Sequence, residues 1–256
     1  MLIGLCSVKG SPGATTAALA MAARWPAGEA IVLEADPSGG DLSARFGLPT
    51  SPGLVSLAAA ARRQTAAEVV AEHCQRLPGG LPVVVGPVSA EQARAALSAL
   101  GSRGQPTLQA AAGSPDCAVL VDAGRLDSSS PALPLVRGAD ALVVLARPRA
   151  DELSHLATLL TPVATWARTP GLVLVGEGCS NREAEGELGV PVMARLPHDR
   201  SGASMLCGHP RGRRPDRSAL GQACARLART LIDHIRAHRT DDAEVAVRAT
   251  TNGQVL

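Results

Sequence analysis

Three short segments hold the residues best suited to chemistry. The first is Lys9-Gly10-Ser11-Pro12-Gly13-Ala14-Thr15-Thr16, which places glycines, hydroxyls and one ammonium in a turn between an apolar run and an Ala-rich stretch. A glycine-rich turn at a helix N-terminus presents backbone N–H groups, and the helix dipole adds positive potential, so the segment suits phosphate. Thr15 stands where a phosphate loop places its magnesium-binding hydroxyl. Lys9 is the single lysine among 25 basic residues; the other 24 are arginine, the bias of a GC-rich genome. Lysine is a compact point charge and arginine a broad planar fork. A lone lysine kept inside this turn points to a site that needs the compact ammonium. The second segment is Ile31-Val32-Leu33-Glu34-Ala35-Asp36-Pro37, and the third is Cys117-Ala118-Val119-Leu120-Val121-Asp122-Ala123-Gly124. Each is an apolar run ending in a carboxylate. Either aspartate alone could merely end its strand.

These residues need elements to position them. Short apolar runs alternate with Ala-rich helical stretches. Strands are predicted at 2–8, 30–34, 81–85, 117–121, 141–146, 172–176 and 192–196. Helices are predicted at 16–24, 54–62, 65–76, 90–100, 150–166, 182–188 and 217–238. Runs such as Val83-Val84-Val85 and Leu142-Val143-Val144-Leu145 are apolar throughout, as in a sheet covered on both faces. Strand-helix alternation implies an α/β fold, one doubly wound, mostly parallel sheet flanked by helices. The stretch 101–115 reads as the loosest internal segment. Residues 1–239 form one expected domain, and 240–256 a flexible tail.

Composition narrows the class. Hydrophobic residues make up 46% and aromatics 1%, so the core must be built from small branched side chains. Net charge is +2, so the chain as a whole is no polycation. Its six cysteines form no Cys-x-x-Cys pair and read as reduced, mostly buried thiols of a cytoplasmic protein. No signal peptide and no apolar run of roughly 18 residues is seen, so no stable membrane anchor is expected.

The segment Lys9–Thr16 resembles the deviant Walker A motif, K-G-G-x-G-K-T-T, of the MinD/ParA family of P-loop ATPases. It departs at Ser11, where the family has Gly, and at Ala14, where the family has the P-loop lysine. Glu34-Ala35-Asp36-Pro37-Ser38-Gly39 is similar to the family's D-x-D-P-x-G, with Glu34 in the first acidic position. Cys117–Asp122 resembles its Walker B strand, Ala139–Leu145 its A-D-x-V-L-V-V strand, and Leu196-Pro197-His198-Asp199 its I-P-x-D turn. The likeness runs from about residue 1 to 239. It implies a P-loop NTPase-like fold that binds ATP or ADP with Mg²⁺. Lys9, Gly10, Ser11, Pro12, Gly13, Ala14, Thr15, Thr16 and Asp122 would hold the nucleotide, with Pro197 and Asp199 beside its base. Thr15, Asp36 and Asp122 would serve the metal. Asp36 would orient the attacking water, and Lys9 would reach into a partner's site in a nucleotide-linked homodimer. Losing the charged partner at position 14 costs about 1.5–3 kcal/mol, so hydrolysis is expected to be weak or absent. Arg125, just after Asp122, is placed either to supply charge or to sit as a solvated loop residue. The family implies a switch that positions cargo, such as a chromosome or plasmid segment or a secretion or pilus machine, with an unidentified partner protein. The alternative is a scaffold that keeps the fold and works without nucleotide.

Between Met205 and Arg239 eight arginines against two aspartates give a formal +6, leaving −4 for the rest. A local basic patch suits a polyanion, and Arg211, Arg213, Arg214 and Arg217 are the candidates for nonspecific DNA contact. The same region reads equally as a docking helix, because Leu220, Cys224, Leu227, Leu231 and Ile235 recur at helical spacing. His234 and His238 stand four apart but have no visible third metal ligand.

Overall fold

The computed structural model describes residues 1–10, 12–209 and 211–252, the last twelve of them as backbone only. Its eight strands are β1 (Leu2–Ser7), β2 (Glu29–Glu34), β3 (Gln75–Arg76), β4 (Pro82–Val84), β5 (Cys117–Arg125), β6 (Ala141–Ala146), β7 (Pro170–Val175) and β8 (Val192–Leu196). They form one sheet in the order β3-β4-β2-β5-β1-β6-β7-β8. Every pairing is parallel except β3 with β4. The helices are α1 (Ala14–Ala23), α2 (Leu42–Phe46), α3 (Leu54–Ala60), α4 (Glu68–Glu72), α5 (Ala90–Arg103), α6 (Gln105–Gly113), α7 (Leu133–Arg137), α8 (Ala150–Ala157), α9 (Leu160–Val163), α10 (Asn181–Leu188), α11 (Arg200–Leu206) and α12 (Ala219–Asn252).

Successive strand residues face opposite sides of a sheet, and both sides here are covered. Ile31, Leu33, Val119 and Val121 join the core beneath α3 to α10. Ala30, Val32, Ala118 and Leu120 join the second core, with α1 and α12. This two-layer burial is why the strands are apolar throughout, and it is the doubly wound sheet that the alternation predicts. The stripe on α12 is a docking face: Leu220, Cys224, Leu227, Leu231 and Ile235 are all buried.

Four stretches differ from expectation. The 65–76 region is not one helix; α4 ends at Glu72 and the chain turns into the edge strand β3. Leu77-Pro78-Gly79-Gly80 then folds back, with both glycines at positive φ and Leu77 N–H donating to Leu81 O. The 101–115 region is ordered: Gly104 closes α5 and opens α6, where Pro106 occupies the first turn, a position that needs no N–H. The 150–166 helix is broken into α8 and α9, and Pro162 has no N–H to continue the ladder. At the C-terminus α12 continues to Asn252 rather than stopping at 238. The side chains after 240, residues 253–256, Ser11 and Pro210 lie outside the described residues, and the expected flexibility of 240–256 lies with them.

Candidate functional site

Ligands of open α/β sheets bind beyond the carboxyl ends of the strands, and the three segments meet there. β1 and β2 both pair with β5, in a register that sets Glu34 beside Asp122. After Ser7 the chain turns through Gly10 (φ +67°) and Gly13 (φ +95°). Gly13 is the N-cap of α1, in the left-handed region, and no side chain among the described residues caps the helix. The first-turn N–H groups are thus left without a side-chain acceptor, which is the arrangement that takes an anion.

Asp122 is fully buried at the end of this cradle. Its Oδ1 accepts from Gly124 N–H at 3.2 Å, and its Oδ2 has no hydrogen-bond partner among the described residues. Burial pushes its carboxyl up from 3.8 to about 7; the Thr15 side chain opposes this most, and the charges of Glu34 and Asp36 add to it. Asp36 is half-buried and accepts Ser38 N–H at 2.7 Å. Its carboxylate lies over Gly124, where a β-carbon would come within 2.1 Å of Oδ2. Thr15, Asp36 and Asp122 are therefore together over β2 and β5.

Glu34 has a different job. It is 2% exposed, and its Oε1 accepts from Asp41 and Leu42 N–H at 2.7 and 3.0 Å, while Oε2 accepts from Gly86 N–H at 2.8 Å. It ties the start of α2 and the segment after β4 to the end of β2. Burial still raises its carboxyl above the ordinary range, against these bonds.

On the other side of β1 a cleft of about 1030 Å³ opens over β6 to β8. Pro12, Gly13 and Thr16 line it from the loop, and Pro197 and Asp199 from beyond β8. Asp199 is half-buried and serves the wall itself. Its carboxylate accepts Gly202 N–H at 2.9 Å and Leu220 N–H at 3.2 Å, capping α11 and meeting the start of α12. Those backbone bonds, Gly202 first, hold it below the usual carboxylate range. Ala14 is 8% exposed and belongs to the core that α1 shares with α12, so it brings no charge to the start of α1. Lys9 Nζ donates to His155 Nε2 on α8.

Three further residues at the loop went unread in the sequence: Arg147, Glu152 and His155. They follow β6, and an Arg-Pro-Arg run just past a strand's carboxyl end was the available signal. Glu152 is 5% exposed and accepts Arg147 N–H at 2.8 Å. The Arg147 guanidinium lies 3.5 Å from its Oε1.

Arg211, Arg213 and Arg214 sit exposed on the loop between α11 and α12, not on a helix, and Arg217 precedes α12, 3.8 Å from Asp216. Arg125 is exposed at the end of β5. His234 and His238 are exposed, and among the described residues no three His, Cys, Asp or Glu side chains could by themselves hold a metal. Burial pushes the thiols of Cys6, Cys74 and Cys224 up to about 12, so they stay protonated.

A parallel, doubly wound sheet with a glycine loop leading from β1 into α1 defines a P-loop NTPase fold. No family model matches the chain, and no curated protein sequence matches it. Solved structures do. The ParA family ATPase of Chlorobium tepidum TLS is similar over 89% of this chain and 96% of its own, at 17% identity and a TM-score of 0.70. The cell division ATPase MinD of Pyrococcus furiosus gives 91%, 98%, 20% and 0.67 in the same order. MinD of Pyrococcus horikoshii OT3, complexed with Mg-ADP, gives 89%, 93%, 18% and 0.60. The fold is that of the MinD/ParA ATPases.

Proposed function

We propose that the chain is a MinD/ParA-like switch: it binds ATP or ADP with Mg²⁺, dimerises in response, and hydrolyses ATP slowly or not at all. The observation that carries this is Asp122. A fully buried carboxylate with an open oxygen, pressed by two further carboxylates, is costly unless a cation meets it. Thr15 and Asp122, with Asp36 nearby, fit Mg²⁺, which keeps several waters and takes its remaining ligands from substrate phosphates. When bound, Mg²⁺ would neutralise charge on the phosphate oxygens. The N–H groups at the start of α1 would hold the phosphates, and the cleft walled by Pro197 and Asp199 would take the base. The absent charge at Ala14 favours binding over turnover. The resemblance extends the reading to a cytoplasmic protein that positions a cargo through a partner protein, with the exposed arginines before α12 as a nonspecific DNA contact. Among the described residues no helix is long and apolar enough to cross a membrane.

Ala14, and the structural use of Glu34, favour a second reading, a scaffold independent of nucleotide. Calorimetric titration with ATP and ADP, with and without Mg²⁺, separates the two. Mg²⁺-dependent binding is expected; a folded protein that takes up neither nucleotide at millimolar concentration is a scaffold.

A further inference from the structure

We infer that Arg147 supplies the phosphate-facing charge that position 14 lacks, held against the loop by the buried carboxylate of Glu152. The inference rests on the nucleotide reading above and names the cation of that site.

Four observations carry it. β6 lies next to β1 in the sheet, so the residue following β6 emerges beside the loop that follows β1. Arg147 is that residue, and it lines the same cleft as Pro12, Gly13 and Thr16. The loop closes directly onto the Arg147–Glu152 pair: a β-carbon at Gly10 would stand 3.1 Å from Glu152 Oε1 and 3.9 Å from Arg147 Nη1. Glycine at position 10, with φ +67°, is what allows that approach. Finally, Glu152 is 5% exposed and takes both the backbone N–H and the guanidinium of Arg147, so it fixes where the side chain starts and which way it runs.

A guanidinium suits the task, because its five N–H donors form a fork that can hold a carboxylate on one edge and meet phosphate oxygens on another. Such a contact positions a phosphate and neutralises its charge. Unlike a lysine at position 14, it approaches from the neighbouring strand rather than from within α1.

The test is a set of titrations with ATP, ADP and AMP in Mg²⁺, on the wild type, Arg147→Ala, Ala14→Lys and the double variant. Arg147→Ala is expected to weaken ATP and ADP binding by about 10- to 150-fold, the value of one charged hydrogen-bonding partner. AMP binding should be nearly unchanged. Adding Ala14→Lys to Arg147→Ala should recover most of the loss. If Arg147→Ala leaves Glu152 unpaired and the protein does not fold, Arg147→Gln with Glu152→Gln removes both charges together, and the same ATP-selective loss is expected. Wild type that binds ATP while these variants bind it equally well overturns this inference alone. So does a loss as large for AMP as for ATP, which marks a general structural defect. Wild type that binds no nucleotide overturns the nucleotide reading, and this inference with it.

Discussion

Replacing Asp122 by Asn should stabilise the nucleotide-free protein, and only above acidic pH. The carboxyl is buried, and its pKa stands at about 7 instead of 3.8. That gap is about 3 pH units, at 1.36 kcal/mol each, so the largest cost is on the order of 4 kcal/mol. The sign follows from proton binding in the two states. Below about pH 4 folded and unfolded chains both hold the proton, and the group costs nothing. Between about pH 4 and 7 the unfolded chain releases its proton while the folded one retains it, so stability falls as pH rises. Above about pH 7 the folded state holds the buried charge and the loss is complete. Asparagine keeps an oxygen for Gly124 N–H and carries no charge. Urea unfolding in EDTA should therefore show equal stabilities near pH 4, with the Asn variant ahead by roughly 2–4 kcal/mol near pH 8. Mg²⁺ with nucleotide should reverse the order, since only the carboxylate gains from the cation. An Asn variant that is less stable than wild type near pH 8 without metal, or a gap that ignores pH, would refute the reasoning.

Glu34→Gln should do the opposite, although burial raises that carboxyl too. Gln has one acceptor oxygen where Glu34 uses two for the N–H groups of Asp41, Leu42 and Gly86, so a melt should show a loss of about 1–3 kcal/mol. Lys9→Ala, and Lys9→Arg, should leave the monomer's melting temperature unchanged, since the lysine's contact with His155 is exposed. Both should remove ATP-Mg²⁺-dependent dimerisation in light scattering; a Lys9→Ala protein that still dimerises would strip the lone lysine of its role. Changing Arg211, Arg213, Arg214 and Arg217 to Glu should abolish a DNA interaction that weakens steeply with salt and ignores sequence; wild type that shifts no DNA at low salt ends that idea.

What could be read from the chain was what local pattern determines. β6 matches its apolar run residue for residue, because a strand buried on both faces has no polar interruption. The breaks at β3 and α9 depended on Pro78, Gly79, Gly80 and Pro162. Those residues were visible, but an apolar Ala-rich pattern outweighed them in the sequence reading. The site divides the same way. Gly10, Gly13, Thr15, Asp36 and Asp122 belong to strand-end segments whose chemistry is local. Glu34, in the first acidic position of its segment, proves to be a tie between β2, α2 and the chain after β4. Only its three backbone donors, one of them 52 residues away, show this.

Position 14 and position 147 make the same point about charge. A motif specifies where along the chain a cation should stand, whereas a phosphate responds only to where it stands in space. Ala14 leaves the motif incomplete. The neighbouring parallel strand nevertheless delivers Arg147 to the same loop, oriented by the buried carboxylate of Glu152. A parallel sheet brings the ends of β1 and β6 together whatever their separation in sequence. An alanine at position 14 therefore does not by itself argue against a cationic phosphate site at the loop.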